Sequence, residues 1–381
     1  MKSFCGVVVA TMVMAFGIVG VGGPVAGASA GGSFFGGQLF VSASRGSDAG
    51  PCTAFRPCRT IGHAVSVAPT GGTITALPGT YAESVTVTRR INLRSFGATV
   101  DATGQINGIA FMGPGTAGST ISGFTVENAQ GEGVLVFNTS HVTLGWNQVR
   151  SNDRGSGTDV TTECQDQGEV PGDCGEGLHL MSVTDSRVLA NRVEDNVGGI
   201  LVTDEVGPSH GNLIAFNESR NNNEDCGITL PSHNGAALGH PELAGVYDNT
   251  VIANVSSGNG GAGVGMFAPF PGTASYDNRV IGNTLLNNGE AGIAIHAHAP
   301  GQNVSGNVIV NNVVSGNGID PDSGSGHPTG IALFSAAVPV NVVVAGNRIS
   351  NEFWGIFVNG QFSIAGLASN HYISVAHPVG P

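Results

Sequence analysis

The chain has 381 residues, 61 of them glycine, with 40% hydrophobic and 11% charged residues and a formal charge of −13. This composition supports a packed core and excludes a disordered chain, and glycine without a strict three-residue period excludes collagen. Lys and Arg total 14 against 27 Asp and Glu, and Lys2 is the sole lysine, so no basic cluster exists for nucleic acid or an anionic membrane surface.

In chain order, residues 1–30 read as a signal peptide. Lys2 supplies the basic end, residues 7–21 are apolar, and Ala26-Gly27-Ala28 and Ala28-Ser29-Ala30 are small-residue cleavage sites. The expectation is a secreted, extracellular protein with no membrane segment after cleavage. Cysteine use agrees with export: Cys52 and Cys58 lie close in the chain, as do Cys164 and Cys174, and both pairs suit disulfides in an oxidising compartment. Cys226 is left over.

Residues 31–104 read as an N-terminal cap with the first coils. Val41-Ser42-Ala43 leads to a short helix expected over 61–68, then to Gly71-Gly72-Thr73-Ile74 and the turn Leu77-Pro78-Gly79-Thr80-Tyr81. Residues 105–381 carry a repeat, and the two parts are expected to form one continuous domain. The repeated phrase is Gly, branched apolar, any residue, apolar. Gly133-Val134-Leu135-Val136, Gly177-Leu178-His179-Leu180, Gly199-Ile200-Leu201-Val202, Gly227-Ile228-Thr229-Leu230, Gly292-Ile293-Ala294-Ile295 and Gly355-Ile356-Phe357-Val358 all carry it. A second phrase spaces asparagines about five residues apart, as in Asn212/Asn217/Asn222, Asn249/Asn254/Asn259 and Asn278/Asn283/Asn288. Period-two alternation makes short strands with one inward and one outward face. Asparagine is expected at the corners, where it tolerates left-handed backbone and stacks into amide ladders.

These phrases resemble the right-handed parallel β-helix proteins of the pectate-lyase-like superfamily. The resemblance implies an all-β solenoid with a short N-terminal capping helix, and a fold that hosts many chemistries. The mature chain has no lysine, so β-helix lyases that use a Lys base do not transfer mechanistically. The clustered aspartates with Arg-x-Lys of polygalacturonases are missing, as is the Asp-Pro-His-Asp motif of uronate epimerases.

Counting from the repeat glycine, positions two and four face outward. They carry His179, Thr203, Thr229 and His296, and the residues just beyond carry Asp204, Glu205, His233 and His298. Stacking coils about 4.8 Å apart is expected to gather these groups into one column on the middle coils. Glu176, Asp225 and His210 lie in neighbouring turns. Excursions at 153–175, 233–248, 268–277 and 318–329 lengthen the same coils and suit a walled groove.

A column of histidines and carboxylates suits acid–base work on a glycan. Asp204, Glu205, Asp225, His233 and His296 are the expected catalytic groups, and Glu176, His179, His210 and His298 the expected substrate contacts. The expected activity is glycoside cleavage by a monomer on a neutral or weakly charged polysaccharide, since few arginines lie near the column. The alternatives are a polysaccharide lyase or epimerase with a His base, and a non-catalytic glycan-binding surface protein. His296-Ala297-His298 alone does not define a metal site, so no metal ligand set is assigned. No cofactor is expected; calcium in the acidic 153–175 loop is the alternative, and no calcium-loop spacing supports it.

Overall fold

The computed structural model describes residues 37–152 and 174–381. The signal segment and the acidic loop, with Cys164, lie outside the described residues; Cys226, expected to be left over, is disulfide-bonded, as is Cys174.

The described chain winds as a right-handed parallel β-helix. One coil shows the pattern: Glu176–Thr184, Arg187–Leu189 and Arg192–Glu194 form its three strands, and Gly198–Thr203 opens the next. The first and last of these pair in parallel, with Leu178 opposite Ile200 and Leu180 opposite Val202. Repetition builds a 14-stranded sheet from the first strand of each coil together with Ser209–His210, Val246–Tyr247 and Ser275–Tyr276, and the other two strands join a 21-stranded sheet. Stacked Leu180, Val202, Leu230, Met266, Ile295 and Leu333 fill the interior without exposure. Each repeat glycine is required by close approach: a Cβ on Gly133 would lie 2.3 Å from Val149 Cγ1.

The asparagines stand at the corners in ladders. Asn147, Asn191, Asn217, Asn254, Asn283, Asn312, Asn347 and Asn370 pass an Nδ2–H to the next Oδ1 at 2.9–3.0 Å. The same Oδ1 also takes the backbone N–H of the preceding member, as in Asn217 to Asn254 at 2.8 Å. Contrary to expectation, these ladder asparagines are not the left-handed residues. The residue immediately before each of the first seven is: Ala190, Phe216, Ala253 and Asn311 have φ of 52°, 60°, 55° and 58°. That turn leaves the asparagine pointing inward, where its amide satisfies buried backbone groups.

Helix α1, Ile61–Val67, closes the N-terminal end with Ile61, Ala64 and Val65 on the core. Thr60 caps it, and both Glu83 oxygens accept from the first turn, Ile61 N at 2.8 Å and Gly62 N at 2.9 Å. The Arg89 guanidinium binds the carbonyls of Ser66 and Ala68 at the other end. A Cys52–Cys58 disulfide ties the loop that precedes the helix. No helix among the described residues is long and apolar enough to cross a membrane.

Candidate functional site

The outer face of the 14-stranded sheet carries the titratable groups in two clusters. Register explains the division. His179 lies opposite Leu201, whereas His296 lies opposite Phe267 and Phe334, one outward row further along the strand.

The first cluster is a hydrogen-bonded line. Thr203 has one hydroxyl proton, which it donates to Glu205 Oε2. Its oxygen therefore accepts from His179 Nε2 at 2.8 Å. Glu205 Oε1 accepts from His233 Nδ1 at 2.9 Å, and His179 Nδ1 faces Glu132 Oε1 at 3.5 Å. Burial alone would raise the Glu205 pKa, but the hydrogen bond and charge of His233, with His179 and Thr203, hold it below the usual carboxylate range. The His233 and Glu205 side chains are only 3% and 7% exposed, and the Phe270 ring lies 6.2 Å from His233.

Asp204 adjoins this line but does different work. Its Oδ1 accepts from His233 N and Asn234 N at 2.6 and 3.2 Å, and its Oδ2 from Ser232 Oγ and Gly245 N at 2.9 and 2.5 Å. Burial and the neighbouring Glu205 charge push its pKa up to about 6, against the pull of His233 and the two N–H groups. It is fully buried and braces the segment from Ser232 to Gly245. Glu176 and Asp225 flank Gly198, whose Cβ would lie 2.7 Å from Glu176 Oε1 and 3.2 Å from Asp225 Cβ.

The second cluster lies two strands beyond the His233 coil. His296 Nε2 meets Asp320 Oδ2 at 2.8 Å, and Asp322 Oδ2 stands 3.9 Å from both His296 Nδ1 and His298 Nε2. Phe267 stacks on His296 at 4.9 Å, and Phe334 packs its edge against both imidazoles. Burial lowers the His296 pKa, but Asp320, Asp322 and Glu290 bring it above the ordinary value. Burial and the adjacent His296 charge pull His298 down to about 4. Burial and the Asp320 charge push Glu290 up to about 8. Here the face opens, with His298 and Asp322 side chains 23% and 25% exposed. Cys52, Cys58 and His63 also converge, but the disulfide removes both sulfurs as ligands.

The structure thus brings His179, Glu205 and His233 together, and His296 with His298, rather than placing all in one column. His210 joins neither cluster: it stacks on Tyr247 at 4.8 Å, and Tyr247 on Tyr276 at 5.1 Å. Glu132, Glu290, Asp320 and Asp322 are members that the strand alignment missed. Glu132 precedes its repeat glycine as Glu176 does, and Glu290 stands two before Gly292 as Asp225 stands two before Gly227. Extending the alignment leftward by two positions would have found both.

Among solved structures, the chain is similar to the mannuronan C-5 epimerase AlgE4 A-module of Azotobacter vinelandii at 14% identity, covering 81% of this chain and 88% of that one, with a TM-score of 0.56. It is also similar to an alginate lyase from Paenibacillus (13%, covering 90% and 99%, TM-score 0.44). The Dettilon tailspike protein is a third (16%, covering 83% and 64%, TM-score 0.48). At these identities the likeness is one of fold. No curated protein matches the chain. The family model described as periplasmic copper-binding protein (NosD) matches residues 81–234 and 116–372, which together span most of the solenoid, and the chain belongs to the NosD family of right-handed parallel β-helix proteins.

Proposed function

We propose that the outer face of the 14-stranded sheet is a groove for a neutral or weakly charged polysaccharide, that the chain cleaves glycosidic bonds there as a monomer, and that His233 is the base. The observation that carries this reading is the 2.9 Å contact between Glu205 Oε1 and His233 Nδ1. A carboxylate holding Nδ1–H leaves Nε2 as the basic nitrogen, the arrangement of an oriented general base. Its acid partner is a carboxyl group of the same sheet, with Glu176 and Asp225 beside Gly198 the candidates. Asp204 is a poor candidate because four donors already occupy it.

Substrate charge follows from what the face lacks among the described residues. Arg192 and Arg220 pair with Glu194 and Glu218 on the other sheet and do not reach this groove. An imidazole base also favours a second reading, elimination or epimerisation of a uronate, but that reaction needs a positive group for the sugar carboxylate. The Cys52–Cys58 disulfide and a family described as periplasmic support action outside the cytoplasm.

Proton NMR of the protein incubated with neutral and acidic polysaccharides tests the reading. New reducing-end anomeric signals are expected, and a vinylic sugar proton would move the assignment to a lyase. His233→Gln should keep the circular dichroism spectrum and lower kcat by about 10²- to 10⁴-fold. Full turnover in that variant removes His233 as the base, and retention of glycan without product assigns a binding protein.

A further inference from the structure

We propose that Trp146 and Phe216 form a clamp for one pyranose ring of a neutral glycan, at a corner of the 21-stranded sheet. The choice of a sugar rests on the polysaccharide reading. The ring-sized site itself does not, and it lies apart from the face that carries His233.

Register builds the corner as a column. Gly145 lies opposite Leu189 and Leu189 opposite Ala215, so the residues that follow, Trp146, Ala190 and Phe216, stack in three successive coils. All three hold left-handed backbone, with φ of 55°, 52° and 60°. The column continues through Ala253, Gly282, Asn311 and Gly346, also left-handed, which shows what such a turn ordinarily takes. That conformation suits glycine and asparagine and strains a bulky side chain. Trp146 and Phe216 are moreover 68% and 66% exposed, so the core gains little from either ring. Two large aromatics are thus held in water on unfavourable backbone, and strain of that kind gathers where a ligand is gripped.

Spacing gives the dimension of the ligand. Adjacent coils are about 4.8 Å apart, so Trp146 and Phe216 stand about 9.6 Å apart along the axis with only the Ala190 methyl group between them. Elsewhere the same molecule shows a column in which every coil carries a ring. His210, Tyr247 and Tyr276 lie in register on consecutive coils and stack at 4.8 and 5.1 Å. The column through Trp146 and Phe216 has the two outer rings and lacks the middle one. A ring-shaped molecule entering over Ala190 would lie about 4.8 Å from each. A chair pyranose fits: its carbons need about 3.5–4.0 Å on each face, and its pucker fills the remainder.

The chemistry of the rim agrees. A pyranose packs its C–H faces on aromatic rings while its hydroxyls reach sideways for hydrogen bonds. On the strands that follow the turn, Gln148, Arg192 and Glu218 point outward, since Val149, Val193 and Ser219 next to them are buried. Arg192 pairs with Glu194 and Glu218 with Arg220. These strands therefore offer donors and acceptors with their charges balanced, which matches a neutral sugar better than an anionic one.

The test uses the full chain with Trp354→Phe, which leaves Trp146 as its single tryptophan. Its fluorescence is titrated with neutral oligosaccharides of glucose, mannose, galactose and xylose. At least one should shift the emission to the blue and shield Trp146 from iodide. Phe216→Ala should weaken that binding about tenfold, and Ala190→Leu, which fills the gap, should abolish it with an unchanged circular dichroism spectrum. Phe216→Gly separates a ligand role from a structural one. It relieves the left-handed turn, so the denaturation midpoint should hold or rise while sugar binding falls. A lowered midpoint would make the ring a structural part and overturn the clamp. So would a response to none of the sugars, or undiminished binding in Phe216→Ala. His233→Gln should bind as the parent does whether or not product forms, so failure of the catalytic reading and failure of the clamp are read separately.

Discussion

At Asp204, four donors converge on two carboxylate oxygens with no solvent exposure. Asp204→Ala leaves His233 N, Asn234 N, Gly245 N and the Ser232 hydroxyl without their acceptor. The expected loss is about 3–5 kcal/mol, read as a shift in the denaturant midpoint. Activity should fall with the fold, whereas His233→Gln should separate the two. An unchanged midpoint in Asp204→Ala would return the residue to the list of reacting groups. The difference between Asp204 and Glu205 was not legible in the sequence. Adjacent acidic residues read alike there, and only the excursion that folds back over Asp204 decides which is consumed by backbone N–H groups. That His179 and Thr203 share an outer face was legible, because positions two and four of neighbouring strands both point outward.

Among the elements, the asparagine columns carry a variation that the repeat count passes over. The column through Asn222, Asn259, Asn288 and Asn317 continues into Glu352, whose Oε1 accepts from Asn317 N and Nδ2 at 2.9 and 3.0 Å. Burial pushes the Glu352 pKa up to about 7, and its Oε2 has no hydrogen-bond partner. A carboxyl whose folded pKa is raised favours the native state in its neutral form. That contribution is full below about pH 4.5 and is lost as pH rises through 7. Glu352→Gln should therefore stabilise the protein by about 1–2 kcal/mol at pH 8 and leave it unchanged near pH 4. Denaturation midpoints at the two pH values check this, and an equal shift at both would sink the titration argument. The ladders themselves were legible from the five-residue spacing. The left-handed residue was misplaced by one, because the spacing marks the buried amide and not the turn that aims it.

The whole molecule is a stack in which each coil touches its two neighbours, so stability is distributed along an axis. Such a stack frays from its ends, and α1 is what closes the N-terminal one. Ile61→Ser removes a fully buried side chain from that cap. Hydrogen exchange should quicken in the coils of Gln38–Val41, Gly72–Ala76 and Ile91–Asp101 while strands beyond residue 250 keep their protection. Uniform quickening along the chain would show instead that the solenoid unfolds as one unit. The fold was legible because glycine, apolar and asparagine positions recur with the coil. The second cluster was only half legible: His296 and His298 sit in the repeat, whereas Asp320 and Asp322 sit in an excursion that no periodicity describes.

One asparagine column also sets a chemical lifetime. Asn259, Asn288 and Asn317 are each followed by glycine, the step at which a backbone nitrogen most readily attacks the side-chain amide and turns asparagine into aspartate. In the stacked coils those three nitrogens are held by the carbonyls of Asn222, Asn259 and Asn288 at 2.7, 2.7 and 2.8 Å. Packing therefore withholds the nucleophile. Unstacking releases all three together, and each conversion writes a carboxylate into a column built for amides. Heat damage to this chain should then be recorded covalently, and a protein cooled too late would not return to its starting state.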